Sequence, residues 1–188
     1  MRDLEAIVIG GSAGALDALL SILPTLPAQV LCPIILVLHL PPAQPSQLPA
    51  ILSRICARTV CEAEDKVPLC DQTIYVAAPN YHLLIERDRS LSLSIDAPVH
   101  HSRPAIDVLF ASAADAYGPA VAGLLLSGAN EDGAEGLAQI RQAGGLAIIQ
   151  DPATASFPIM PEAAIRRVGP SAHVVRLQDI GAFFNTRR

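Results

Sequence analysis

The sequence predicts an α/β protein of three layers, α/β/α, with a mainly parallel, doubly wound sheet and a small antiparallel hairpin insertion. Three observations predict it. Short apolar runs such as residues 34–38 and 121–126 show no polar alternation, as strands buried on both faces of a parallel sheet require. Segments with helical spacing separate these runs almost throughout, the sign of repeated βα units. One stretch, roughly 71–97, breaks the alternation with shorter runs divided by turn chemistry.

In order, residues 6–9 read as a strand and 16–23 as the helix after it. Residues 34–38 form a second strand, followed by a helix near 48–57 behind the proline-rich turn Pro41-Pro42-Ala43-Gln44-Pro45. Beyond 59–62 the pattern changes: 74–77, 83–86 and 91–95 are short strands split by Pro79-Asn80 and Asp88-Arg89-Ser90, an antiparallel hairpin region inserted in the core. Alternation resumes at 104–117, where Ile106, Leu109, Phe110, Ala113 and Tyr117 share helical spacing and Pro104 sits near the start, where proline is tolerated. A buried strand at 121–126, a helix at 134–143 stopped by Gly144-Gly145, and a strand at 146–149 follow. A helix at 161–168 and a strand at 174–177 close the series.

The 188 residues suit one domain spanning 1–188, able to bury about two-thirds of its unfolded surface. Hydrophobic residues make up 51% and mean hydropathy is +0.40, yet the longest apolar runs fall short of the ~20 residues a membrane helix needs. No membrane insertion is expected. The amino terminus shows no positive-then-apolar leader, and Cys32, Cys56, Cys61 and Cys70 form no CxxC pair. Reduced thiols in a cytoplasmic protein are the expectation, with no disulfide, no metal and no cofactor. A net charge of −5 with four Phe and three Tyr argues against nucleic acid as a partner.

In doubly wound sheets, ligands bind outside the carboxyl ends of the strands, so the residues leaving those ends carry the functional argument. Gly10-Gly11-Ser12-Ala13-Gly14 is a G-x-S-x-G sequence between strand and helix, the setting of a nucleophile elbow. The helix-start amides could stabilise an oxyanion. Alternatively, Ser12 caps the helix. A dinucleotide fingerprint would need glycine at Ser12, and the P-loop lysine is absent. His39 follows the second strand and is the best-placed base. His82 and the pair His100-His101 sit in or beside the hairpin region, and His173 begins a late strand at the opposite end. Asp132, in Ser127-Gly128-Ala129-Asn130-Glu131-Asp132-Gly133, could orient the histidine; it could also cap a helix, and Glu131 competes for the acid role. The chain order Ser, His, Asp differs from the Ser, Asp, His of α/β-hydrolases.

Six blocks in order resemble the catalytic domain of CheB, the chemotaxis protein-glutamate methylesterases, over essentially the whole chain. They are Ile9-Gly10-Gly11-Ser12-Ala13-Gly14; His39 with Pro41-Pro42; Ile74-Tyr75-Val76-Ala77-Ala78-Pro79 with His82; His101-Ser102-Arg103-Pro104-Ala105-Ile106-Asp107-Val108-Leu109-Phe110; Leu126-Ser127-Gly128 with Asp132-Gly133-Ala134-Glu135-Gly136; and Met160-Pro161 with Glu162-Ala163-Ala164. The resemblance implies Ser12 as nucleophile, His39 as base and Asp132, rather than Glu131, as acid. It implies hydrolysis of glutamate γ-methyl esters on chemoreceptor helices, with glutamine deamidation in some members, and no cofactor. Arg103 and Met160 lie in blocks expected to border the cleft. Ala15, Ala129 and Pro158-Ile159 depart from the family's usual Gly, Met and Phe-Gly, which bears on substrate more than on chemistry. The family's usual receiver domain has no counterpart in this sequence, so constitutive activity or a separate regulatory protein is expected. Three further readings are a non-catalytic partner-binding module, a small-molecule carboxylesterase, and an anion site at 10–14 that would survive Ser12→Ala.

Overall fold

The computed structural model describes residues 4–39 and 46–185; the expected turn at 41–45 lies outside them. Strand β1 (Ala6–Gly11) leads to helix α1 (Ala15–Ile22), then β2 (Ile34–Leu38), α2 (Leu48–Leu52), β3 (Thr59–Glu62) and β4 (Thr73–Val76). A hairpin of β5 (His82–Ile85) and β6 (Leu91–Ser94) follows. The chain continues through α3 (Ile106–Tyr117), β7 (Val121–Leu125), α4 (Ala134–Gln142), β8 (Leu146–Gln150), α5 (Ile159–Val168), β9 (His173–Val175) and α6 (Ile180–Asn185).

Seven of these strands form one sheet in the order β3-β4-β2-β1-β7-β8-β9, every pairing parallel. The apolar runs behave as continuous burial demands, since alternate side chains serve two different cores. Ala6 and Val8 of β1, with Ile35 and Val37 of β2, pack under α3, α4 and α5. Ile7 and Ile9, with Ile34, Leu36 and Leu38, pack under α1, α2 and α6. Three layers follow directly from that alternation, as the sequence predicts.

One expectation is corrected. The sequence places residues 74–77 in the antiparallel insertion, but β4 lies inside the main sheet, parallel to both β2 and β3. Its four residues are all buried, which a hairpin open on one face would not give. Among the strands of the described residues, only β5 and β6 pair antiparallel, from His82↔Ser94 to Ile85↔Leu91, and this hairpin packs on α3 through the buried Leu83, Ile85 and Leu91.

The chain leaves β1 toward β2 on one side and returns through β7 on the other. The strand order therefore reverses between β1 and β7, and a crevice opens at such a switch point outside the strand ends.

Candidate active site

Ser12, His39 and the segment 126–133 all emerge at that edge. His39 N–H donates to the Gly11 carbonyl (3.2 Å) and Leu126 N–H to the Gly10 carbonyl (2.9 Å), so the parallel ladders deliver all three segments side by side. Gly10 permits a second approach: a Cβ there would collide with Ile106 Cγ2, so its absence lets the start of α3 settle against the end of β1.

The Ser12 turn is held from below. Ser12 N–H donates to the Ser127 carbonyl (2.9 Å). Ser127, 1% exposed, donates its hydroxyl to the Ala13 carbonyl (2.7 Å) and accepts from Phe157 N–H (2.9 Å). Helix α1 then begins after Gly14 in the left-handed region (φ 75°), with no side-chain cap. Ser12 thus does not cap α1, and among the described residues no hydrogen bond engages its hydroxyl. With the Ser12 amide already donating to Ser127, the Ala13 and Gly14 amides are the donors this turn can offer an anion.

Asp132 is 0% exposed, and it does not cap the helix that follows it. Its Oδ2 accepts from Ile106 N–H (2.7 Å) and its Oδ1 from Asp107 N–H (2.9 Å). Both amides belong to the first turn of α3, whose own N-cap, Ala105, has no side chain to offer. The carboxylate therefore satisfies two orphan donors and sits at the positive end of the helix dipole. Oδ2 also meets His39 Nε2 at 2.8 Å. The His39 side chain is 13% exposed, so a nearly buried imidazole is oriented by a buried carboxylate that a helix N-terminus holds still. This leaves Nδ1 as the second ring nitrogen, with Asn130 Nδ2 3.5 Å away. No hydrogen bond joins Ser12 to the ring.

Behind this pair stands Asp107. Its Oδ1 accepts from Gly136 N–H (2.7 Å) in the first turn of α4, and His100 Nε2 lies 3.2 Å from its Oδ2. Burial pushes its carboxyl up from the ordinary carboxylate value. The nearby Asp132 charge adds to this, while the Gly136 amide and His100 oppose it. His100, Asp107 and Asp132 offer ligand atoms within 4.8 Å of one another. Both Asp132 oxygens already accept hydrogen bonds, so ligation there would compete with His39. A cavity of about 370 Å³ beside this loop is lined by His100, Asp107, Glu131, Glu135, Arg166 and Arg167 among others. It reaches Asp107 but neither Ser12 nor His39, so the expected chemistry lies next to it rather than within it.

The remaining expected residues separate cleanly. Glu131 is exposed and makes no approach to the imidazole. His82 is 1% exposed; its Nδ1 accepts from Ala105 N–H (3.2 Å) and its Nε2 donates to the Ala97 carbonyl (3.1 Å). It joins the hairpin to the start of α3. His173 stacks at a tilt on Phe183, far along the sheet on β9. Arg103 does not present its guanidinium freely: it donates to Asn80 Oδ1 (2.8 Å) and to the carbonyls of Ile95 (2.8 Å) and Asp96 (3.0 Å). Met160 is wholly buried and fills the space beneath Gly128. The amides of Ile106 and Asp107, with Asn130, are the members that sequence reasoning missed. An uncapped helix start after Pro104-Ala105 was the signal that some distant side chain must serve it.

Comparison with known proteins agrees over this whole span. The CheB methylesterase family model matches residues 7–184. A protein of Leptospira interrogans, provisionally named protein-glutamate methylesterase/protein-glutamine glutaminase, is 46% identical over 182 residues, covering 97% of this chain and 94% of its own. A protein-glutamate methylesterase/protein-glutamine glutaminase of Symbiobacterium thermophilum is 34% identical over 93% of the chain, which spans 48% of that relative's length. The crystal structure of the Thermotoga maritima CheB methylesterase catalytic domain superposes with a TM-score of 0.90 at 28% identity, covering 97% of this chain and 98% of that one.

Proposed function

This chain belongs to the CheB methylesterase family, and from that premise we propose that it hydrolyses glutamate γ-methyl esters on protein substrates, with Ser12 as nucleophile, His39 as base and Asp132 as the acid that orients the base. The observation that carries the proposal is the 2.8 Å contact between His39 Nε2 and the buried Asp132 carboxylate, at a strand end adjoining that of Ser12.

In the acylation step Ser12 Oγ attacks the ester carbonyl while His39 Nδ1 takes its proton. The Ser12–His39 hydrogen bond, absent in the resting arrangement, forms as substrate aligns the two groups. The ring becomes an imidazolium held between the reacting serine oxygen, on its Nδ1 side, and Asp132, on its Nε2 side, and Asp132 stabilises that charge without taking the proton. The tetrahedral oxyanion faces the Ala13 and Gly14 amides, donors that need no reorganisation. Collapse breaks the C–O bond; the proton passes to the departing methoxide and methanol leaves. Water, deprotonated by His39, then attacks the acyl-serine, giving free glutamate and regenerating Ser12. The same cycle on a glutamine side chain would release ammonia, in keeping with the glutaminase in the relatives' names.

The proposed substrates are the methylated cytoplasmic helices of chemoreceptors, as the family suggests, and the proposed compartment is the cytoplasm. Two observations support that compartment: the four cysteines are free thiols, and among the described residues no helix is long and apolar enough to cross a membrane. The test is methanol release from membranes carrying methylated chemoreceptors, comparing wild type with Ser12→Ala. Release that depends on Ser12 is expected. Release equal in both proteins would remove Ser12 from the mechanism. None from either, with simple esters still cleaved, would replace the receptor by a small-molecule ester.

A further inference from the structure

Asn130 bridges the acid and the base by its two ends. Asp132 N–H donates to Asn130 Oδ1 (3.2 Å), and that backbone donor settles which end of the amide points where. The NH2 group is then turned toward the imidazole, with Nδ2 3.5 Å from His39 Nδ1. An amide NH2 has only protons to offer. The Nδ1 facing it must therefore be bare, and the ring proton lies on Nε2, where it meets Asp132 Oδ2 at 2.8 Å.

We infer that Asn130 is a positioning residue: it fixes His39 in the Nε2–H tautomer and keeps the Nδ1 lone pair ready for the Ser12 proton. This deepens the esterase reading, on which His39 is the base. The contact also has a sign. Once Nδ1 is protonated, a donor faces a donor, so Asn130 must turn aside and give up the Asp132 amide. The contact is therefore one that only an unprotonated Nδ1 can accept. The charged group that faces the ring is Asp132; Glu131 on the same loop is exposed, and Asp107, with His100 paired to it, stands behind Asp132 at the start of α3. None of these is altered when Asn130 alone is changed.

The experiment follows the nitrogen resonances of ¹⁵N-labelled histidine through a pH titration of the full chain, with His39 assigned from its loss in His39→Ala. In wild type, neutral His39 should show a protonated Nε2 and a bare Nδ1. Asn130→Ala should move the midpoint of the ring's titration up by about half a pH unit, as loss of one weak hydrogen bond predicts. Asn130→Asp places a carboxylate against the same nitrogen and should move it further the same way, by about one unit. Asn130 is only half-buried, so both variants are expected to fold, and melting curves check it. A proton on Nδ1 in wild type, or an unmoved midpoint in Asn130→Asp, would overturn the inference. The readout needs no substrate, so absent methanol release with this titration pattern intact would dismiss the esterase reading and leave the role of Asn130 standing.

Discussion

Replacing Asp132 by asparagine keeps the shape of the side chain and exchanges one oxygen for an NH2 group. The native carboxylate accepts three hydrogen bonds, from Ile106 N–H, Asp107 N–H and His39 Nε2, in a site with no exposure. Asparagine can satisfy them only in part. If its oxygen replaces Oδ2, the NH2 group faces the Asp107 amide, donor against donor. If its nitrogen replaces Oδ2, it opposes both the Ile106 amide and His39. Leaving one buried donor unsatisfied costs about 1–3 kcal/mol, and losing a negative charge at the start of α3 costs roughly 0.5–2 kcal/mol. The variant should therefore lose about 2–4 kcal/mol and melt about 5–15 °C lower for a domain of this size, yet still fold. Turnover should fall by roughly 10⁴-fold, because a ring facing an amide NH2 adopts the wrong tautomer. Thermal unfolding by circular dichroism and hydrolysis of a chromogenic ester read the two effects separately. A melting point within a degree of wild type would refute the capping role, and retained activity would refute the orienting role. The proposed role of Asp132 thus predicts a loss in stability as well as in rate.

Two further outcomes follow from the same geometry. Gly14→Ala puts a side chain at φ 75° with its Cβ 2.7 Å from Ser156 Cβ; it should cost about 1–2 kcal/mol and lower kcat by displacing the Ala13 and Gly14 amides, and unchanged kinetics would remove those amides from the oxyanion site. Asp107→Asn keeps an acceptor for the Gly136 amide while removing a buried charge. The Asp107 carboxyl is raised chiefly by burial, so the folded state holds that proton more tightly than the unfolded chain does. The stability this contributes is present in acid and lost as pH rises through the raised value. The variant should match wild type in acid and gain on it in melting temperature from about pH 4 upward, the part-exposed His100 pairing offsetting little; a gap independent of pH would contradict the cause assigned.

The central strands were legible because burial on two faces writes itself as unbroken apolar runs: β1, β2, β7 and β8 all read directly from the chain. Strand β4 was misplaced since Thr73–Val76 is as short as a hairpin strand and sits among turns, and only the pairing partner distinguishes the two. Strand β3 lies at the sheet edge with exposed ends, so its pattern is weak, and α6 was not anticipated. At the site, the strand-end rule brought out Ser12 and His39 because the parallel register carries both to one edge. The residues alone could not separate Asp132 from Glu131, neighbours in one loop. What separates them is the start of α3, whose amides draw Asp132 inward while Glu131 stays in solvent. That contact spans 26 positions, beyond any local pattern.

The most direct test of Ser12 as nucleophile is covalent. A fluorophosphonate loses fluoride to an activated serine and leaves a stable phosphonyl ester, which peptide mass spectrometry can locate. One phosphonyl group on the peptide containing Ser12, formed rapidly in wild type and lost in His39→Ala, is the predicted result. Label on another serine, or none while methanol is still released, would contradict the account at its centre.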